Sequence, residues 1–314
     1  MPKISIIIPV YNRERLLPRC LASCVNQTFK DFEVICINDG STDNSWDIIQ
    51  KFVKKDDRFI AVSQTNRGEA VSRNRALDMA RGDFITFLDS DDYFHPQALE
   101  ALYTVAKRTN APITCSTKFI KVTKNQSFSP VNIEKLSHEI HENTVEDMLQ
   151  VRYLSSLLWN KLYQKEIFKN RRLIEGISNE DWPFITTLFS EIPFYASFDK
   201  AIYCYDNTNE SVVRSDWVEK RIHDYITSIY FVYQHYQKPE NLRYWPQIRK
   251  IRIRMAVKMI LSKIVHAQKN RKHLADVFFP LYRKMLADGV IQRSDFSMKS
   301  KWRLFKLYGL KGLK

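Results

Sequence analysis

The sequence lacks the features that mark several large classes of protein. Its five cysteines form no CxxC pair, and Cys20 and Cys24 are spaced one helical turn apart, as small apolar residues would be. No uninterrupted run of about 18 apolar residues occurs, and the apolar run near the N-terminus is too short for a secretory signal. These absences exclude a disulfide scaffold and predict a soluble or peripheral protein of a reducing compartment.

Glycine-rich phosphate loops are also missing. With only seven glycines, the chain contains neither GxGxxG nor GxxxxGK[ST], the loops with which dinucleotide-binding folds and P-loop proteins hold phosphate. Its 314 residues, 44% of them apolar, are nevertheless enough to bury a large core. Any phosphate group must therefore be held in another way.

Acidic residues are scarce at the C-terminal end. Residues 249–314 contain 18 Lys and Arg against three Asp, a local balance of +15, so the rest of the chain is close to neutral within the total of +14. This asymmetry predicts an anionic partner, either membrane lipid or nucleic acid. The last stretch combines basic residues with Trp302, Phe305 and Tyr308, which favours an anionic membrane surface. A solvated, frayed terminus is the alternative.

In the first part of the chain, continuous apolar runs alternate with segments whose apolar residues have helical spacing. Continuous apolar runs predict strands at Ile4–Val10, 32–38 and 58–63, followed by a fourth in FITFLD. Helical spacing falls between them, at 16–25 and 68–80 among others. Strands alternating with helices indicate an open, mostly parallel α/β sheet with right-handed crossovers.

The pattern changes in the second half of the chain. Sheet-like segments continue through 113–122 and return at 194–205, whereas 219–290 show helical stripes. We therefore predict a domain built on the sheet over 1–215 and a smaller helical, basic region over 216–314.

Acidic residues follow the predicted strands, at the edge where open α/β sheets bind ligands. Asp39 follows the second strand, and Asp89, Ser90, Asp91 and Asp92 follow the fourth. Three carboxylates in four residues repel each other unless a cation lies among them, and oxygen ligands suit Mg²⁺ or Mn²⁺. The alternative is an acidic turn that caps the helix beginning near Pro96.

Five strings in order resemble the family 2 inverting glycosyltransferases of GT-A fold, in their bacterial, non-processive form. They are IIIPVYN, INDGSTDNS, NRGEAVSRNRALDMARGDFITFLDSDD, WNKLY and the pair Glu180-Asp181. The resemblance implies transfer of a hexose or N-acetylhexosamine from a UDP-sugar to a hydroxyl of a saccharide acceptor, with inversion. We expect that acceptor to be lipid-linked and the protein to lie at the cytoplasmic face of a membrane. The resemblance makes residues 1–215 the nucleotide-sugar-binding and catalytic domain and implies that the region 216–314 associates with the acceptor or a membrane. The QxxRW string of processive members is absent.

The resemblance also implies roles for the matching residues on the donor side. The uracil ring would lie on the first motif, which comprises Pro9, Val10, Tyr11 and Asn12. Asp39 would accept the uracil N–H, while Arg73, helped by Arg13, would donate to the nucleotide or its phosphates. Asp89 would bridge ribose and metal, with Ser90 beside it, and Asp91 would be the direct ligand of Mn²⁺ or Mg²⁺.

On the acceptor side, the resemblance implies that Asp181 is the general base. The residues expected near the sugar or acceptor are Asp92, Trp159, Asn160, Glu180 and Trp182. The alternatives are a pair of acids at a helix N-terminus and tryptophans in the core. One departure is Asp206, which stands where relatives often carry Arg.

Two other functions compete with this interpretation. A membrane- or nucleic-acid-binding protein on an inactive GT-A scaffold would explain the basic C-terminal region but not the acidic strings, so we expect no nucleic-acid partner. A sugar nucleotidyltransferase would carry a glycine-rich basic loop after the first strand, and PVYNRERL has no glycine.

Overall fold

The structure is a computed structural model that describes residues 1–122, 128–150, 157–206, 219–267, 270–296 and 298–308. Within these ranges the strands are β1 (Ile4–Val10), β2 (Phe32–Asp39), β3 (Phe59–Gln64), β4 (Phe84–Phe87), β5 (Tyr93–Phe94), β6 (Ile113–Ser116), β7 (Ile120–Lys121), β8 (Glu139–His141), β9 (Lys161–Gln164), β10 (Tyr195–Phe198) and β11 (Tyr203–Tyr205). The helices are α1 (Leu17–Val25), α2 (Ser45–Val53), α3 (Glu69–Met79), α4 (Ala98–Thr109), α5 (Thr144–Gln150), α6 (Asp181–Leu188), α7 (Glu219–Tyr236), α8 (Trp245–Ile248), α9 (Arg254–His266), α10 (Arg271–Ala287) and α11 (Met298–Tyr308).

Eight of the described strands form one sheet in the order β3-β2-β1-β4-β9-β6-β10-β8. The pairs among β1 to β4 are parallel, as are β6 and β10, whereas β9 and β8 run antiparallel to their neighbours. The predicted open, mostly parallel sheet is therefore confirmed. Its first four strands agree with their predicted bounds to within two residues.

The later sheet-like segments divide between two sheets. The 113–122 segment splits into β6 and β7, and the 194–205 segment into β10 and β11. The short strands β5, β11 and β7 form a separate three-stranded sheet, which the sequence pattern does not predict. Because β11 pairs antiparallel with β5, it brings the chain back to the acidic residues after β4.

Side chains alternate between two apolar layers. Ile7 and Ile35 point into one core, whereas Ile6 and Ile8 point into the other, as expected for strands covered by helices on both faces. The first core continues without interruption into the C-terminal helices, where it includes Ile260. The free cysteines are all buried, namely Cys20, Cys24, Cys36, Cys115 and Cys204.

The C-terminal region is helical, as predicted. A π-helical turn, Arg249–Ile253, joins α8 to α9. Within the described ranges, no helix is both long and apolar enough to cross a membrane. The predicted boundary between 215 and 216 lies outside the described residues.

The predicted aromatic tail forms α11 over Met298–Tyr308. Trp302 is 54% exposed, and Lys306 Nζ lies 3.8 Å from the centre of its ring. The side chains of Phe305 and Tyr308 lie outside the described part of the structure, as do residues 309–314.

Candidate active site

The loop after β1 presents the first predicted motif at the carboxyl edge of the sheet. Pro9 and Val10 complete β1, and Tyr11 beyond them is 45% exposed. Asn12 adopts a left-handed conformation with φ 50°, which asparagine tolerates better than most residues. Its Oδ1 accepts the backbone N–H of Thr42 at 2.8 Å, so the first and second motifs are held together. The tyrosine ring therefore lies open to solvent at this edge of the sheet.

Asp39 ends β2 and holds the turn that enters α3. Its Oδ2 accepts the Gly68 N–H at 2.7 Å, and its Oδ1 accepts the Arg67 N–H at 2.9 Å and Gln64 Nε2 at 2.8 Å. Gly40 follows with φ 70°, and a Cβ there would lie 2.6 Å from the Asn66 nitrogen, so only glycine fits. A carboxylate can accept about four hydrogen bonds, which leaves capacity beyond these three.

The loop after β4 carries the second group of acids. The Asp89 side chain is 30% exposed and that of Asp91 is 28% exposed, so both are partly open to solvent. Ser90 is buried between them. Arg13 Nε lies 3.6 Å from Asp91 Oδ2, which links the loops after β1 and β4. The predicted convergence of these loops is therefore present in the structure.

Asp92 is placed differently from the sequence expectation that it faces the sugar. It is 1% exposed, with Oδ2 accepting the Tyr203 hydroxyl at 2.7 Å and Oδ1 accepting the Asp206 N–H at 2.8 Å. The Tyr203 hydroxyl oxygen also accepts the Asp89 backbone N–H at 3.3 Å. Asp92 therefore anchors the acidic loop to β11. We correct its expected place accordingly, because burial turns both oxygens toward protein donors.

Arg73 is the centre of the charged cluster. It is 2% exposed on α3, and its Nη2 lies 2.9 Å from Asp89 Oδ1 and 3.3 Å from Glu69 Oε2. Its Nη1 lies 3.4 Å from Asp181 Oδ1 and also pairs with Glu180. The guanidinium is thus surrounded by protein carboxylates, rather than lying open to a nucleotide as the resemblance implied.

Burial shifts the titration of these acids. It raises the pKa of Asp89 to about 7 and that of Glu180 to about 8, although Arg73 opposes both shifts. Burial also raises the pKa of Asp181, again against the effect of Arg73. Burial alone would lower the pKa of Arg73, yet the surrounding carboxylates hold it well above its ordinary value. The cluster therefore contains more acids than one cation can balance.

Glu180 lies at the N-cap position of α6 and Asp181 in its first turn, as in the alternative of two acids at a helix N-terminus. Glu180 makes no capping hydrogen bond with its side chain and turns instead toward Arg73. The Asp181 side chain is 22% exposed, whereas that of Glu180 is 5% exposed. Asp181 Oδ2 also accepts the Leu158 N–H at 3.3 Å. Of the pair, Asp181 is the more accessible to an acceptor.

Both tryptophans lie in the apolar cores, Trp182 in the first and Trp159 in the second. Trp182 is buried in the first core, as in the alternative interpretation of the sequence. Trp159 is also buried, and it stacks on Tyr203 with ring centroids 4.4 Å apart. Asn160 beside it has φ 63° and donates from Nδ2 to the Ser116 carbonyl at 3.0 Å. Trp159 and Asn160 thus shape the segment 157–160, which directly precedes β9.

Several residues of the site are missed by sequence reasoning. Arg19 on α1 pairs with Asp206 at 2.6 Å, donates to the Asp91 carbonyl at 3.1 Å, and lies over the Tyr93 ring. No local signal reveals it, because Arg19 and Asp206 are 187 residues apart. Glu69 could have been found from its i,i+4 spacing to Arg73.

The donor set suits a divalent metal of the Mg²⁺ or Mn²⁺ type. Asp89 and Asp91 offer partly exposed carboxylates whose pKa burial raises, so a cation among them would relieve repulsion. No three acids, histidines or cysteines converge as ligands within the described residues. That arrangement is compatible with Mg²⁺, which usually takes one or two carboxylates and completes its shell with water and phosphate.

Comparison with known proteins agrees with the geometry. Residues 5–174, more than half of the chain, match the family model described as glycosyl transferase family 2. This chain belongs to glycosyl transferase family 2. The predicted family is thereby confirmed, and the matched region contains the loops after β1, β2 and β4.

Two curated relatives and one solved structure illustrate what this chain is similar to. The chain is 30% identical over 230 residues to glycosyltransferase GlyA of Streptococcus pneumoniae, covering 70% of this chain and 33% of that protein. It is 31% identical over 198 residues to the GalNAc(5)-diNAcBac-PP-undecaprenol β-1,3-glucosyltransferase of Campylobacter jejuni, covering 62% of each. The chain thus spans less than two thirds of either relative. The fold is similar to S. aureus TarS 1-349 in complex with UDP-GlcNAc, with TM-score 0.70, 21% identity, and coverage of 99% of this chain and 88% of that one.

Proposed function

We propose that this glycosyltransferase moves a hexosyl or N-acetylhexosaminyl group from a UDP-sugar to a saccharide hydroxyl, with inversion. The observation that carries the proposal is the contact of one guanidinium, that of Arg73, with both Asp89 and Asp181. Asp89 belongs to the loop expected to hold the nucleotide, and Asp181 to the helix expected to hold the base. The two halves of a displacement reaction are therefore adjacent.

Donor binding would use the edge of the sheet. The exposed face of Tyr11 is suited to stacking on a uracil ring, and stacking by itself would accept any base. Asp39 retains accepting capacity for the uracil N–H, a donor that thymine shares and cytosine lacks. The UDP-GlcNAc bound by TarS, a protein of similar fold, supports a UDP-sugar as donor.

Asp91 and Asp89 would hold Mn²⁺ or Mg²⁺. When bound, the metal supplies positive charge that stabilises the departing diphosphate. Arg13 keeps the Asp91 carboxylate beside the loop after β1. Asp92 keeps its buried place below the acidic loop and contributes by anchoring that loop to Tyr203.

Asp181 would act as general base in a single displacement. Its carboxylate takes the proton of the acceptor hydroxyl while that oxygen forms a bond to the anomeric carbon. The bond between this carbon and the diphosphate oxygen breaks on the opposite face, and UDP leaves with the electron pair. The configuration at the anomeric carbon is therefore inverted. Glu180, more deeply buried, pairs with Arg73 and supports the base.

The acceptor would be a lipid-linked saccharide, and residues 216–314 would bring the enzyme to its membrane. The undecaprenol-linked saccharide named for the Campylobacter jejuni relative supports this acceptor class. We also propose the inner, cytoplasmic face of that membrane as the site of action, because all described cysteines are free thiols.

The helical segment 245–266 presents a surface suited to anionic lipid. Ile251 is 42% exposed and Met255 is 45% exposed, one turn apart on the same side. Basic side chains flank them at Lys250, Arg254 and Lys258. No acidic residue occurs in 241–275. This face combines apolar insertion with positive charge, which is typical of interfacial helices.

A donor screen tests the proposed reaction. The protein is incubated with UDP-, GDP- and dTDP-sugars and Mn²⁺, and the released nucleoside diphosphate is measured. We expect release from UDP-sugars and none above background from GDP-sugars. NMR of the product formed with an acceptor reports the anomeric configuration, and a retained configuration would refute the single displacement.

A further inference from the structure

Two buried side chains of β9 hold the loop that precedes this strand. Lys161 Nζ donates to the Leu157 carbonyl at 2.6 Å and lies 3.4 Å from the Trp159 carbonyl. The Tyr163 hydroxyl donates to the Leu158 carbonyl at 2.9 Å. Three successive carbonyls are thus turned toward two side chains of the strand that follows them.

One of these contacts is connected to the base. The Leu157 carbonyl and the Leu158 N–H belong to the same peptide unit, and in a trans peptide they point in opposite directions. Lys161 binds the carbonyl end, and Asp181 Oδ2 accepts a hydrogen bond from the N–H end at 3.3 Å. Fixing one end of this rigid unit therefore fixes the direction of the donor at the other.

We propose that Lys161 is a positioning residue for Asp181 and acts through the peptide unit between Leu157 and Leu158, while Tyr163 secures the same loop. The inference rests on the proposed function, because it takes Asp181 as the base. An ammonium group on the carbonyl polarises the peptide, and a chain of hydrogen bonds strengthens its own members. The Leu158 N–H then becomes a better donor to the carboxylate.

The place of Lys161 in the sheet supports a specific role. The residue is 2% exposed in a strand between β4 and β6, where an apolar side chain is the usual occupant. A buried charge lowers stability unless it is well hydrogen-bonded. Burial lowers the pKa of Lys161 to about 8, although nearby acidic groups, Asp181 among them, oppose the shift. The side chain is therefore mostly protonated at pH 7.

The test compares two lysine variants by steady-state kinetics with a UDP-sugar and acceptor. Lys161→Met keeps the length and removes the donor, and we expect kcat to fall about 10- to 100-fold with KM for the donor and UDP affinity within about twofold. The acidic limb of the pH–rate profile should move to higher pH, since Asp181 loses support for its charged form. Lys165→Met is the matched control, because Lys165 also donates to a carbonyl at 2.6 Å but at Ala80.

A second background separates this inference from the proposed function. In Asp181→Asn protein, Lys161→Met should cause no further loss, because the group it positions is gone. If Asp181→Asn itself retains wild-type turnover, the proposed base is wrong. If Asp181→Asn is inactive while folded Lys161→Met keeps wild-type kcat and pH profile, the positioning role is wrong and the base stands.

Tyr163→Phe decides the question if Lys161→Met does not fold. It removes only the hydroxyl that binds the Leu158 carbonyl, and we expect about a threefold to tenfold lower kcat with unchanged donor KM. Tyr236→Phe is its control, since that buried hydroxyl binds the Thr186 carbonyl at 2.7 Å. Equal effects of the two tyrosine variants on kcat would overturn the proposal.

Discussion

Arg73 and Asp181 are 108 residues apart in the chain, and Nη1 of Arg73 lies 3.4 Å from Oδ1 of Asp181. The same guanidinium binds Asp89, so the interior of α3 connects the acidic loop after β4 to the start of α6. The guanidinium of Arg73 is thus a cation shared by both carboxylates. Its removal should affect both stability and catalysis.

Replacing Arg73 with Met should leave buried carboxylates without this partner. We expect a loss of about 3 to 5 kcal/mol in the free energy of unfolding, measured by denaturant titration. Arg73→Lys keeps the charge but cannot bridge several acids at once, so its loss should be smaller. Arg75→Met on the exposed side of the same helix is the control. Similar stability of the Arg73→Met and Arg75→Met proteins would contradict the central role of the cluster.

Asp181→Asn should abolish most transfer if the residue is the base. Asn begins a helix about as well as Asp, so a capping role would survive the change. We expect kcat to fall by roughly 10² or more, with UDP affinity by calorimetry unchanged. Asp199→Asn, at an exposed surface ion pair, is the control and should keep wild-type kcat. Wild-type turnover of Asp181→Asn would exclude the base.

Activity should require a divalent metal held by Asp91. EDTA should stop transfer by the native enzyme, and restored Mn²⁺ should recover it. Asp91→Asn should lower turnover strongly while circular dichroism remains native, because the side chain is partly exposed and its loss leaves no large cavity. Asp83→Asn, at a more exposed ion pair, should behave as wild type. Full activity in excess EDTA would remove the metal from the mechanism.

His235 should make stability depend on pH. Burial lowers its pKa to about 4, although Glu191, 3.6 Å from Nδ1, opposes the shift. The unfolded chain takes up this proton near about pH 6.5 and the folded chain only near pH 4, so acid favours unfolding. The contribution of His235 is complete above about pH 6.5 and should fall toward pH 4, by at most about 1.4 kcal/mol per pH unit.

Denaturant titrations of His235→Gln between about pH 4 and pH 7 check this expectation, because that range contains both pKa values of the histidine. The difference in the free energy of unfolding between wild type and His235→Gln should shrink as pH falls. His223→Gln, an exposed histidine on the same helix, should leave the slope unchanged. If His235→Gln shows the same pH dependence of the free energy of unfolding as wild type, other groups cause that dependence.

Anionic liposomes should bind the face of 245–266. Each replacement of Lys250, Arg254 or Lys258 with Gln should remove about 1 kcal/mol of the free energy of membrane binding. The triple variant should therefore partition into the membrane about 100-fold less at moderate salt. Ile251→Gln with Met255→Gln should instead raise the sensitivity to salt, since apolar insertion is lost. Ile140→Gln, an exposed isoleucine on β8, is the control.

The tail is better tested by substitution than by deletion. Leu304 and Phe296 are buried, so removal of residues 296–314 would open the core. Trp302→Gln changes an exposed ring and leaves the packing of α11 intact. If Trp302→Gln partitions less into liposomes, the tail contacts the membrane. If partition is unchanged, Ile251 and Met255 make the apolar contact without the tail. Binding to double-stranded DNA but not to liposomes would favour the nucleic-acid alternative.

The sequence by itself determined the order of the first strands and helices and the acids after β2 and β4. These features follow from local periodicity, and the carboxyl ends of parallel strands meet at one edge whatever the details of packing. The start of α6 at Asp181 was likewise predictable from the apolar stretch that follows it. The family could be identified because its strings are contiguous.

Only the tertiary structure decided which charges meet. Arg73 pairs with Glu180 across 107 residues, and Arg19 pairs with Asp206 across 187, distances over which no local pattern carries information. Burial also reversed the expectation for Asp92, whose oxygens turn inward once Tyr203 lies beneath the loop. Hydrogen bonds to buried charges must be satisfied within the folded chain, so long-range packing selects the partners.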